Sequence, residues 1–469
     1  MFLNHTIVFA SLIASAGAAA QPATIAAPFA PGEVIVVTNG AVPERGTLIA
    51  GYPVIERSDF GRAALVRVPI GQEPEAINAL NALESVAVAE LNYAGQGASV
   101  PSDTFFESQW HHENTGQSGG RPGADIESLG AWQYTRGDSS TVIAVLDTGI
   151  DSDHPEFAGR FLTDGFDFVN EDADPEADHP HGAWVSGVVV ANDGNGFGTA
   201  GVDHRARVLP VKVLNENNAG FTFDLVQGLD FAAARSDVHI ICMSLISYPG
   251  TTSLRNALDN AAAAGKVLIS CGSNSGANAD VSWPGASPAT ITIGATTRID
   301  ARAFFSGTGS SIDFVAPGDD ITTIEPFTSL DRRDVVSGCS FATPIAAGVA
   351  GLIRARTVEL GVPFTQQLVF DMLQAGAEDE VGFANEDTPG RDDFMGWGRI
   401  NARASLYALE AQFGCLPDVN RDGQLNPADF SAWVIAFNNA QLAGCDQNGD
   451  GLCDPADFTA WASNFNDGC

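Results

Sequence analysis

The chain is poor in positive charge. It carries 23 Lys and Arg against 58 Asp and Glu in 469 residues, a formal net charge of −35. A polyanion of this size is repelled by phosphate backbones and by anionic lipid headgroups, which argues against nucleic acid and membrane surfaces as partners. Charge of either sign is scarce as well. Charged residues make up 17% and hydrophobic ones 45%, which argues against wholesale disorder and allows a sizeable core. No run is long and apolar enough to cross a bilayer, so no membrane span is expected. The amino terminus, Met1 to His5, lacks Lys and Arg. Residues 1–20 nevertheless read as a signal peptide, because the apolar run Ile7 to Ile13 leads into Ala18, Ala19 and Ala20. A secreted or cell-surface protein is therefore expected, and export permits disulfides. Cysteines are few. Of seven, Cys415, Cys445, Cys453 and Cys469 fall in the last 55 residues, which fits two bridges with the connectivity open.

The length implies two or three domains, and the pattern changes along the chain. Val34 to Val37 and Ala63 to Val68 read as strands, Glu73 to Leu83 as a helix and Val86 to Ala89 as a strand. A Gly/Ser/Pro linker from Gly95 to Pro101 closes this small α+β segment. Next come continuous apolar runs at 142–146, 208–214, 238–243, 266–270 and 290–294. Runs of this kind suit strands buried on both faces. Helical stretches at 181–192, 222–235, 253–264, 340–358 and 365–374 alternate with them or follow them. This alternation predicts an α/β domain with a mostly parallel sheet covered by helices. Near the end, 418–438 and 446–466 form a direct repeat offset by 28, with 12 identities in 21 positions. Two copies suggest a small paired helical module rather than a solenoid.

Three short motifs carry chemistry. Val145-Leu-Asp-Thr-Gly-Ile-Asp151 puts Asp147 at the end of a buried strand. His181-Gly-Ala-Trp-Val-Ser-Gly187 opens a helix with a histidine. Ser337-Gly-Cys-Ser-Phe-Ala-Thr-Pro344 puts Ser340 at the start of the longest helix. A serine hydroxyl is too weak an acid to attack a carbonyl alone. A histidine must take its proton, and an aspartate must hold the imidazole in the right tautomer. Asp-Thr-Gly also marks aspartic proteases, but these need a second such triplet and the chain has none.

The order Asp, His, Ser, with these flanking residues, resembles the subtilisin-like proteases (subtilases). The resemblance covers roughly residues 104–408. It includes Phe106-Glu-Ser-Gln-Trp110, Asn114-Thr-Gly-Gln-Ser118, Pro210-Val-Lys-Val-Leu214, Met243-Ser-Leu245 and Gly396-Trp-Gly-Arg-Ile-Asn401. It implies a serine endopeptidase acting on proteins or peptides, with Asp147, His181 and Ser340 as its triad. It also implies that Asn274, in Gly272-Ser-Asn-Ser-Gly276, donates to the oxyanion beside the Ser340 N–H. Ser244, Leu245, Ile246 and Gly272 then fall where the family binds substrate backbone. The chain departs from the family at Trp184, where a second His is usual, and at Ser273 and Ile246, where Gly is usual. Residues 33–93 resemble the inhibitory prosegments of the same family. The organisation implied is a signal peptide at 1–20, a prosegment at 21–98, a catalytic domain at 99–410 and the repeat module at 411–469. The rival reading is a non-catalytic protease-like adhesion or assembly protein.

The repeats fit calcium loops. The first offers Asp418, Asn420, Asp422, the Gln424 carbonyl, Asn426 and Asp429. The second offers Asp446, Asn448, Asp450, the Leu452 carbonyl, Asp454 and Asp457. Oxygen ligands at this spacing, with Gly423 and Gly451 at the turn, suit Ca²⁺ rather than a transition metal. The acidic stretch Glu171 to Asp178 is a further candidate for an ion. Each loop leads into a helix with aromatics at i, i+3 and i+7, namely Phe430, Trp433, Phe437 and Phe458, Trp461, Phe465. A loop-plus-helix duplicate resembles dockerin modules, which implies a cohesin-like or cell-surface docking partner. Both copies carry Pro-Ala where dockerins usually have hydroxyl residues. If Asn274 and the Ser340 N–H converge on one oxyanion, Cys271 and Cys339 come within bridging distance and Cys242 is the odd thiol. The alternative is that all three are small buried hydrophobes.

Overall fold

The computed structural model describes residues 29–40, 42–58, 62–69, 72–93, 100–277, 281–420, 425–439 and 441–467. The expected signal peptide, most of the linker, Asp422, Gln424 and Cys469 lie outside the described residues. Two compact units are present: Met1–Gly97 with Asp418–Asn439, and Ala98–Pro417 with Ala440–Cys469. The two repeat copies belong to different units and are described one at a time.

In the first unit, strands β1 (Phe29–Thr38), β2 (Leu48–Ile49), β3 (Tyr52–Arg57), β4 (Ala63–Arg67) and β5 (Val86–Tyr93) form a sheet in the order β2-β3-β4-β1-β5. The pairings are antiparallel. Alternate residues Val34 and Val36 face inward, as do Ala64 and Val66. They pack with Ala76 and Leu80 of helix α1 (Glu73–Asn81) into one apolar cluster.

The first α-helix of the second unit is α2 (Ser128–Tyr134). It is built on a seven-stranded sheet of β6 (Val142–Asp147), β7 (Phe166–Asp167), β8 (Arg207–Lys212), β9 (Ile240–Met243), β10 (Val267–Cys271), β11 (Ile291–Thr296) and β12 (Phe314–Pro317). The order is β12-β11-β10-β9-β6-β8-β7, and the pairings are parallel. Both faces are apolar. Ile143 and Val145 join a core with α3 (His181–Val190) and α6 (Cys339–Leu360). Val142, Ala144 and Leu146 face α4 (Thr222–Ala234) and α5 (Thr252–Ala263). The expected parallel sheet covered by helices is therefore present. Helix α6 runs through the core, with 18 of its 22 residues buried, and carries no charged residue before Arg354.

An antiparallel hairpin, β13 (Ile321–Ile324) and β14 (Arg333–Val336), leads directly into α6. Helices α7 (Gln366–Gly376) and α8 (Ala402–Phe413) complete the layer. The first repeat contributes α9 (Pro427–Asn438) to the first unit and the second contributes α11 (Pro455–Asp467) to the second, with the short α10 (Leu442–Cys445) preceding the second copy. Each long helix shows its aromatic stripe. Trp433 lies 6.2 Å from Phe430 and 5.1 Å from Phe437, and Trp461 lies 5.0 Å from Phe465, between ring centroids. Among the described residues, no helix is long and apolar enough to cross a membrane.

Candidate active site

Strand β6 sits where the sheet order reverses, between β8 and β9. The crevice beyond such a switch point is where open α/β sheets place their sites. Asp147 is the last residue of β6 and is fully buried. The next residue joins it to the following helix. Thr148 Oγ1 donates to His179 O at 2.8 Å and accepts from Gly182 N at 2.9 Å. The strand end and the start of α3 also approach closely at Gly182, where an added Cβ would lie 2.2 Å from Gly149 O. His181 is thereby delivered to Asp147, and its Nδ1 lies 2.7 Å from Asp147 Oδ1. The same oxygen accepts from Thr148 N at 2.7 Å. A buried carboxylate beside Nδ1 selects the tautomer with the proton there and leaves Nε2 as a base. Burial alone would push the His181 pKa down. The Asp147 charge and hydrogen bond outweigh it, so the imidazole is held above its ordinary value.

Ser340 is the second residue of α6. Its hydroxyl donates to Ser244 O, just past β9, at 3.2 Å. The neighbouring Phe341 ring lies 5.8 Å from the His181 ring. Asn274 follows β10, and its Oδ1 accepts from Cys339 N at 2.8 Å. That bond leaves Nδ2 free of Cys339 N. A Cβ added to Gly338 would lie 3.4 Å from Asn274 Nδ2, 3.6 Å from Ser340 N and 3.7 Å from Asn274 Oδ1. Two N–H donors therefore flank one small space, kept open because residue 338 has no side chain. Its φ of +154° also favours glycine. The helix N-terminus adds partial positive charge at the same point. An oxygen that gains negative charge there would be stabilised.

Cys271 and Cys339 are bridged, with Cα atoms 5.4 Å apart, so the end of β10 and the start of α6 are tied together. Cys242 is the free, buried thiol, and burial pushes its pKa up to about 12. Such a thiol is inert. The alternative of three free cysteines in this unit does not hold. Cys445 is bridged to Cys453, and Cys415 is also disulfide-bonded.

The other expected positions lie close by in the chain. Ser244 and Leu245 are buried just past β9, and Ile246 is half-buried against the same core as Phe341. Gly272 donates to Ile293 O at 2.9 Å, and an added Cβ would meet Ile312 Cδ1 at 2.6 Å. Sequence reasoning missed the roles of Thr148 and Gly338. Both stand within the motifs, so the signal was present.

Among the described residues, no group of three or more His, Cys, Asp or Glu is gathered to hold a metal ion. In the second loop the carboxylates accept backbone N–H groups instead. Asp446 accepts from Gly449 and Gly451, Asp450 from Leu452, and Asp457 from Gln447 and Asp454. In the first, Asp429 accepts from Asn426 N at 2.8 Å. The donor set is made of oxygens and suits calcium. The acidic stretch before His181 already faces a cation. Lys212 Nζ lies 2.7 Å from Asp178 Oδ2 and 3.2 Å from Asp167 Oδ2. Asp178 is the carboxylate of the 171–178 stretch that this ammonium meets.

The model of the subtilase family matches residues 138–398, more than half of the chain. A thermophilic serine proteinase of a Bacillus species is 32% identical over 330 residues, 69% of this chain and 78% of that protein. Thermitase of Thermoactinomyces vulgaris is 32% identical over 257 residues, 55% of this chain and 86% of its own length. The cell wall-associated protease of Bacillus subtilis is 32% identical over 67% of this chain, which spans only 36% of that larger protein. A solved protease structure from Pseudoalteromonas arctica shares the fold, with a TM-score of 0.57 at 24% identity over 66% of this chain and 99% of that one. The protein belongs to the subtilase family and is a serine-type endopeptidase.

Proposed function

We propose that the protein is a secreted endopeptidase that cleaves peptide bonds through an acyl-enzyme on Ser340. The observation that carries this reading is the pair of donors, Asn274 Nδ2 and Ser340 N, flanking the space above Gly338. In the first step Ser340 Oγ bonds to the carbonyl carbon, and its proton passes to His181 Nε2. Asp147 holds the imidazolium that forms. The C–N bond then breaks, and the same proton goes to the departing amine. Water, deprotonated by His181, attacks the ester and frees Ser340. Substrate backbone lies along Ser244, Leu245 and Ile246 on one side and Gly272 on the other, as an added strand.

In this reading the first 20 residues are a signal peptide and 21–98 an inhibitory prosegment removed within the linker between Tyr93 and Asp103. The exposed location is supported by relatives named as extracellular or cell wall-associated proteases. The repeat module, 411–469, binds one Ca²⁺ per loop and serves as an anchor to a cohesin-like or cell-surface partner. What supports it is the oxygen-only ligand spacing repeated in two copies. A fluorophosphonate probe tests the central claim. Wild-type protein is expected to be labelled once, and Ser340→Ala not at all. An unlabelled wild-type protein would favour the non-catalytic assembly reading instead.

A further inference from the structure

The two reacting side chains stand on separate elements, and their spacing must be fixed by something between them. Trp184 lies one turn after His181 on α3. Its Nε1 donates to Asp334 Oδ2 at 2.8 Å, and its backbone carbonyl accepts from Thr323 Oγ1 at 3.1 Å. Thr323 and Asp334 are direct partners across the β13–β14 hairpin. One residue of α3 thus grips both strands at a single rung. The contact is close along the helix as well, since an added Cβ at Gly187 would lie 2.6 Å from Thr323 Oγ1.

From that rung the chain runs to the nucleophile without slack. Ser337 Oγ accepts from Asp320 N at 2.9 Å, and Gly338 N donates to Gly318 O at 2.8 Å. Ser340 follows two residues on. A second path closes the circuit through rings. Trp184 meets Phe341 edge to face with centroids 6.4 Å apart, and Phe341 in turn lies 5.8 Å from His181. We propose that Trp184, held by Asp334, is a positioning residue that sets the His181-bearing end of α3 against the hairpin that delivers Ser340. This rests on the serine-protease reading above.

The indole N–H needs only an acceptor, so an amide at 334 can replace the carboxylate while a methyl cannot. A misplacement of about 1 Å between reacting groups costs up to roughly a hundredfold in rate. The test measures kcat and KM on a chromogenic peptide, with active sites counted by fluorophosphonate titration. Asp334→Ala and Trp184→Phe, which keeps a ring against Phe341, are each expected to lower kcat per titrated site about tenfold or more, with KM within about twofold. Asp334→Asn is expected to stay near the wild-type kcat, and the double variant to be no worse than the poorer single one. Unchanged kcat in both Asp334→Ala and Trp184→Phe, even with a lower melting temperature, overturns the role. So does an Asn variant that falls as far as the Ala variant. Wild-type protein that does not react with the probe overturns the protease reading itself, and this role with it.

Discussion

Asn274 uses its amide in two directions. Its oxygen holds Cys339 N at 2.8 Å, and its nitrogen faces the space above Gly338. The two uses can be separated by substitution. Asn274→Ala removes both and is expected to lower kcat about 10²–10³-fold with little change in KM. Asn274→Asp keeps the acceptor for Cys339 but removes the donor and adds negative charge. It should be at least as damaging, and an active Asp variant would mean that anchoring Cys339 is all that matters. His181 gives a second measurement at this scale. Its folded pKa is raised, so the folded state holds the proton above the ordinary value of about 6.5. The stability it contributes is full below that value and is lost as pH rises through the folded pKa. Activity runs the other way, because the base must be neutral. The acid limb of kcat/KM is expected above pH 6.5 or so. In Asp147→Asn the charge that raises the pKa is gone and burial remains. The limb should then move to lower pH as kcat falls by about 10⁴.

At the scale of elements, α8 and the second repeat are joined by a buried ion pair. Arg403 Nη1 donates to Asp446 Oδ2 at 3.0 Å, and Arg403 Nε donates to Glu127 Oε2 at 2.5 Å. The Asp446 side chain is fully buried and that of Arg403 is 7% exposed. Asp446 is also the first ligand position of the proposed calcium loop. Removing one member of a buried pair costs about 3–5 kcal/mol because the other charge is left unmatched. Arg403→Met is expected to cost that much in chelator and less with Ca²⁺ present, where the ion meets the same carboxylate. Thermal melts in the two conditions check it, and equal losses would count against a cation at Asp446. None of this was readable beforehand, since the partners lie 43 positions apart and each taken alone is an ordinary charged residue. The same holds for Trp184 and Asp334, 150 positions apart. What could be read was local. The apolar runs at β6, β8, β9, β10 and β11 announce themselves because both faces are buried. The two-residue β7 and the hairpin strand β14, with alternating exposure, carry no comparable signal. Strand β12 is four residues long and ends in Pro317, which marks it as an edge. Asp147, His181 and Ser340 were legible because each stands at a strand end or a helix start within a short motif, where backbone and chemistry are specified together.

Over the whole molecule the dominant feature is the charge of −35. Cleavage within the linker would hardly change it. Residues 1–98 carry eight acidic and four basic side chains, so the remainder keeps −31. A field of that sign reaches beyond the contact distance of a bound peptide. It draws cationic substrates toward the surface and repels anionic ones before any side chain is recognised. Salt shortens its reach, from about 30 Å at 0.01 M to about 3 Å at 1 M. Two peptides matched at the cleaved bond, but with basic or acidic residues well away from it, isolate this effect from pocket specificity. At low ionic strength kcat/KM is expected to favour the basic peptide by roughly tenfold or more. The preference should shrink toward unity as salt is raised. Because the field acts on encounter, kcat at saturation should differ little between the two peptides at any salt concentration. A preference that survives at 1 M would locate the discrimination in direct contacts at the groove, not in the molecule's net charge.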